Sequence, residues 1–76
     1  MRFVYSDHAR ANMTERRISN HVVEDVVVNP EQITDSRRGR KIAQKTVGNR
    51  LLRVVYKEAE KVYIIVTVYF ARIGRY

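Results

Sequence analysis

The chain contains no cysteine, so it forms no disulfide and no thiolate metal site, a composition that suits a reducing cytoplasm. Little in it is built for a membrane. The N-terminus lacks an apolar stretch of signal-peptide length, and Lys61 to Phe70 is too short to span a bilayer as a helix. The expectation is a cytoplasmic protein with no membrane contact. Repeats, linkers and low-complexity tracts are absent too, and 76 residues make one domain, residues 1–76. A domain this small buries only about 60% of its unfolded surface, so its stability margin is thin and association with a partner would widen it. Also missing are a Gly-rich phosphate loop, a paired-carboxylate site and a His/Asp cluster; Asp7 beside His8 is too little to hold a metal. No metal or cofactor is expected.

The most informative absence is of acid within one window. From Ser36 to Lys57 stand Arg37, Arg38, Arg40, Lys41, Lys45, Arg50, Arg53 and Lys57 with no carboxylate between them, while the other seven bases face eight acids and come to −1. A solvated surface intersperses the signs. Segregated positive charge makes a local field whose commonest partner is a polyanion, nucleic acid first and an acidic protein second. The run Arg37-Arg38-Gly39-Arg40-Lys41 reads as a phosphate-gripping turn. Eleven of the fifteen bases are arginine, which favours planar, bidentate phosphate contacts. The plainer alternative is a charged loop that only keeps a small protein soluble; the overlap of the window with a patterned sheet region favours binding.

The pattern predicts β-α-α-β-β-β-β. Arg2 to Tyr5 is a short strand; Ser6 or Asp7 caps a helix through about Arg17 with Ala9 and Met13 on its apolar stripe. Ser19 caps a second helix in which Val22, Val23, Val26 and Val27 make one buried face, and Asn29-Pro30 ends it. Gln32 to Ser36, Lys41 to Val47, Arg50 to Lys57 and Lys61 to Phe70 then form an antiparallel meander. Gly48-Asn49 reads as a two-residue type II′ hairpin loop. A three-residue loop, Glu58 to Glu60, aligns Leu52, Val54 and Tyr56 with the apolar row Val62, Ile64, Val66 and Val68 and buries no charge. The opposite sheet face then shows Gln44, Thr46, Arg53, Lys57, Tyr63 and Thr67, with Tyr69 on the same side, as a binding floor.

Several of these segments together carry a resemblance. Tyr5-Ser6-Asp7-His8-Ala9, Met13, Arg16-Arg17-Ile18-Ser19, Asn29-Pro30, Gly39-Arg40-Lys41 and Leu52-Arg53-Val54-Val55-Tyr56 resemble a prokaryotic family of uncharacterised small domains with a His-Ala pair leading to an Arg-Ile-Ser break. The same order is similar, more distantly, to BrnT-like and RelE/ParE-like toxins of toxin–antitoxin pairs. That resemblance implies a RelE-like α+β fold, two N-terminal helices on one face of a small antiparallel sheet, with RNA in a basic cleft on the other. Active toxins of this group cut messenger RNA, whereas ParE-like relatives act on DNA gyrase by binding. A full C-terminal helix of the RelE pattern is missing here, since only Ala71 to Tyr76 follow Phe70.

Metal-free RNA cleavage by 2′-hydroxyl attack needs a base, a cationic cradle and an acid. His8 is the titrating candidate, Arg53 the cradle and Tyr63 a stacking or proton-donating group; His21 reads as structural or solvent-facing. The expected nucleic-acid contacts are Arg37, Arg38, Arg40, Lys41, Lys45, Arg50, Lys57 and Arg72, the last in a basic tail with Arg75 and Tyr76. The leading reading is a toxin-like RNA-binding protein, in its active form a metal-independent endoribonuclease, neutralised by an acidic antitoxin. The alternative is a non-enzymatic binding module of the same fold, for nucleic acid or for one protein target. The long last strand also offers an edge for pairing into a homodimer.

Overall fold

The computed structural model describes residues 2–71, so Arg72, Arg75 and Tyr76 lie outside the described residues. The element order is β1 (Arg2–Tyr5), α1 (Asp7–Arg16), α2 (Asn20–Val28), β2 (Gln32–Asp35), β3 (Arg40–Val47), β4 (Arg50–Ala59) and β5 (Val62–Ala71), with a single 3-10 turn, Arg37–Gly39, between β2 and β3. This is the expected α+β order. Ser6 caps α1 by accepting from Ala9 N at 3.0 Å, and Ser19 caps α2 by accepting from Val22 N at 3.3 Å. Arg17, in the left-handed conformation, closes α1. No helix among the described residues is long and apolar enough to cross a membrane.

The sheet runs β1-β5-β4-β3-β2 and is mixed. The expected antiparallel meander holds for β2 to β5, but β1 adds a parallel strand beside β5, with Arg2 opposite Val62 and Tyr5 opposite Ile65. The cause lies in β5: ten residues of ladder donors and acceptors need a partner on both sides, and β1 supplies it along the first half. Ser6 extends the junction, its N–H donating to Ile65 O at 3.0 Å and its hydroxyl to Val66 O at 2.8 Å. The edge foreseen for self-pairing is therefore occupied over Val62 to Ile65, and the β1 ladder stops there.

The β3–β4 hairpin forms as expected, with Val47 opposite Arg50 and positive φ at Gly48 (65°) alone of the two loop residues, as type II′ requires. The β4–β5 connection does not. Ala59 faces Val62, so the loop is the two residues Glu60 and Lys61, the latter at φ 57°. A one-residue bulge corrects the register. Tyr56 faces Ile65 whereas Val55 faces Thr67, leaving Val66 as the extra residue. The tight turn thus places Tyr63 and Ile65 with Tyr56, and the bulge restores Val68 and Phe70 to Val54 and Leu52. A single loop length cannot achieve that.

Both helices lie on this inner face. Ala9, Met13, Ile18, Val23, Val26 and Val27 pack with Ala43, Leu52, Val54, Tyr56, Ile65 and Val68 in one core. Tyr5 ties β1 to α2 by donating its hydroxyl to Glu24 Oε2 at 2.6 Å. Burial first, then the hydrogen bond and charge of Glu24, push the Tyr5 phenol well above its usual value of 10.0, and burial also raises Tyr56. The fold favours the protonated phenol, so its contribution is present below the unfolded pKa and is lost as pH rises through the folded one. Stability is therefore expected to fall above about pH 10, and less steeply in Tyr5→Phe than in the wild type. Equal slopes in denaturant titrations across that range would contradict the linkage.

Candidate nucleic-acid interface

Residues paired across strands share a face, and alternation along each strand sorts the basic window in two. Arg40, Arg53 and Lys57 stand on the face away from the helices, with Ile42 and Val55 between them and Gln44 opposite Arg53. Lys41, Lys45 and Arg50 stand on the helix side. Lys45 pairs with Asp25 of α2 at 2.7 Å and Lys41 with Glu58 at 3.8 Å, while the Arg50 guanidinium lies 3.9 Å from the centroid of Phe70. The Lys45 hydrogen bond, with a second from Asn29, holds the Asp25 carboxyl below its ordinary range. These three bases serve the fold, and they do not join the open face.

The open face has three cationic features. Arg53 lies beside Tyr69, its cross-strand partner, with the guanidinium 5.7 Å from the ring centroid. Its Nε is buried and has no hydrogen-bond partner among the described residues. Arg40 stands directly opposite Lys57, a like-charge pair that costs stability unless an anion lies between. At the end of the sheet Arg37 and Arg38 project from an exposed turn closed by Ser36 N donating to Arg40 O at 2.8 Å. Arg38 takes φ 59° and Gly39 φ 71°, a left-handed pair that turns the chain sharply and leaves both arginines unburied.

The three residues foreseen for catalysis are not brought together. His8 is exposed in the first turn of α1, in the helix layer, while Arg53 is on the opposite face. Tyr63, expected on the open face, is on the inner one: it faces Glu58, meets Tyr56 edge-on at 5.5 Å and tilts against Phe3 at 5.3 Å. The two-residue turn is the cause. Thr67, also expected outside, donates its hydroxyl to Asn12 Oδ1 of α1 at 2.9 Å. Tyr69 is where it was expected. His21 is exposed at the start of α2, and among the described residues no three His, Asp or Glu side chains gather as metal ligands. A separate cleft of about 350 Å³, lined by Tyr5, Arg10, Met13, Thr14, Ile18 and Asn20, opens on the helix side.

A family model described as a domain of unknown function, DUF4258, matches residues 5–70. The chain belongs to that family. Neither the curated proteins nor the solved structures contain a match. The DUF4258 match takes in both helices, the basic turn and all of the open face except Arg2, Val4 and Ala71. What sequence reasoning missed within the DUF4258 domain is the apolar content of that face: Ile42, Val55 and Ile64 are on it, half-buried. The first two were accessible from the Gly48-Asn49 register, since fixing Val47 opposite Arg50 also fixes Ile42 opposite Val55. Ile64 was not, because its side depends on the bulge.

Proposed function

We propose that this protein is a toxin-like RNA-binding module, with the Arg37–Gly39 turn gripping the backbone and the open sheet face receiving the nucleotides. Likeness to BrnT and to RelE or ParE belongs to the proposal, as does an acidic antitoxin partner. The observation that carries it is the open face without a carboxylate at any strand position, where Arg53 is flanked by Gln44 and Tyr69 and Arg40 faces Lys57. Tyr69 offers a ring for base stacking, the guanidinium beside it a phosphate or base-edge contact, and the Arg40–Lys57 pair a second phosphate site. Single-stranded RNA suits such a face, because unpaired bases can lie flat against it.

Binding without cleavage is the form the geometry supports, since His8 and Tyr63 both stand away from Arg53. Two outcomes follow. Labelled single-stranded RNA incubated with the protein in EDTA is expected to be retained and to stay intact. Arg53→Ala is expected to weaken retention about tenfold, the scale of one lost stacking and charge contact, about 1–2 kcal/mol. Cleavage that disappears in His8→Ala with the fold unchanged would overturn the binding-only form and restore the endoribonuclease. Retention unaffected by Arg53→Ala would remove the open face from the account.

A further inference from the structure

A face meant for nucleotides alone has no need of aliphatic side chains, yet this one carries a continuous strip of them. Register places Val4 beside Ile64 on neighbouring strands, with Val62 two residues back, and Ile42 beside Val55 one row further along. The strip crosses from β1 to β3, roughly 16 Å over three strand spacings with a two-residue shift. Val4 is 42% exposed and the others are half-buried, and both helices are on the other side of the sheet. Charge frames the strip on both flanks: Arg40 and Lys57 on one, Arg53 on the other, Arg2 at the β1 end. No aspartate or glutamate occupies a position on this face in any of the five strands. Off the strands, the Glu31 carboxylate reaches the rim at the β2–β3 edge, where its Oε1 accepts from Thr46 N at 3.0 Å and from the Thr46 hydroxyl at 3.1 Å.

We infer that the open sheet face is the docking surface for an acidic amphipathic helix of another polypeptide. An apolar sheet face is normally buried against a second layer, and here only one of the two faces has received it. Roughly 16 Å is about three turns of helix, enough for apolar side chains at i, i+3, i+4 and i+7 to follow the strip. Carboxylates on either side of that stripe then fall against Arg53 on one flank and against Lys57 and Arg40 on the other. A second copy of this chain does not fit, because its own open face repeats the positive charge and α2 has no acid in its first turn and keeps Glu24 and Asp25 in internal bonds. The helix covers Arg53, Arg40 and Lys57, so it excludes RNA from the same face. That competition rests on the RNA-binding reading; the docking does not.

The test uses two synthetic 15-residue peptides of identical composition, one with leucines at i, i+3, i+4 and i+7 flanked by glutamates, the other scrambled. Fluorescence anisotropy at 0.15 M salt is expected to give at least tenfold tighter binding for the patterned peptide. Val55→Thr with Ile64→Thr keeps β-branched residues in the strands; it is expected to weaken the patterned peptide at least tenfold while leaving the scrambled one within twofold. Ile42→Thr, at the far end of the strip, repeats the test if the double variant loses its cooperative melt. Equal binding of the two peptides would overturn the inference, reduce the attraction to generic charge and leave the face to RNA. So would failure of the patterned peptide to bind, or indifference to the threonine variants. Patterned-peptide binding in the absence of RNA binding would sustain the docking and remove only the competition.

Discussion

Replacing Arg37 and Arg38 together by glutamate is expected to lower affinity for single-stranded RNA by one to two decades, about equally for every sequence. Both side chains project from an exposed, tight turn, so in the proposed reading they meet the backbone and carry no sequence information. If the wild type neutralises about five phosphates, its affinity should fall roughly 100-fold between 50 and 200 mM salt through counterion release. The double variant should show a slope shallower by about two contacts. Sequence-dependent losses would mean that the turn reads bases. A flat salt response in the wild type would take nucleic acid out of the account and leave an acidic protein as the partner.

The second large effect concerns stability. Leu52 has no exposed surface and sits on β4 between β3 and β5, beneath both helices. Leu52→Ala is expected to cost about 3 kcal/mol, combining lost transfer energy with the cavity left behind. A domain of this size holds only about 5–10 kcal/mol in all, so the thermal midpoint should fall by roughly 15 °C. Ile64→Ala, on the open face of the neighbouring strand, should cost only about 1 kcal/mol, because solvent already reaches it. The difference between the two reports which face is covered. Equal losses, read by denaturant titration at several protein concentrations, would mean that the open face is buried by self-association.

Much of this fold is legible in the chain because local signals agree with one another. Ser6 and Ser19 start the two helices, Asn29-Pro30 ends the second, and Gly48-Asn49 fixes one hairpin register from which eight cross-strand pairs follow. The illegible part begins at Val66. A bulge has no residue signature here, and the choice between a tight turn with a bulge and a longer loop without one depends on tertiary packing: Tyr63 finds Phe3 and Tyr56, and Ser6 takes the carbonyl of Val66. Parallel pairing of β1 was equally hidden, since four residues of strand pattern do not say which neighbour they will join.

The candidate site divides along the same line. Charge counting finds the basic window without saying that alternate strand positions send Lys41, Lys45 and Arg50 to the helix side, two of them into ion pairs. Arg53 and Tyr69 are found from residue type and parity, whereas their closeness depends on the bulge, which shifts Tyr69 into the position opposite Arg53. His8 was singled out for its chemistry alone, and chemistry says nothing about layer. Residue type can nominate a histidine in the first turn of a helix, but its distance from a strand residue on the other side of a sheet is fixed by topology.

The central claim, that RNA is held by the basic turn and the open sheet face, is most directly tested by an amide and side-chain NMR titration with single-stranded RNA. The account predicts shifts that saturate together at Arg37, Arg38, Arg40, Arg53, Lys57 and the Tyr69 ring, with the α1 and α2 resonances of Met13, Val23 and Val26 unmoved. Shifts centred on the helix-side cleft of Tyr5, Arg10 and Asn20, or no saturable shifts at low salt, would contradict it.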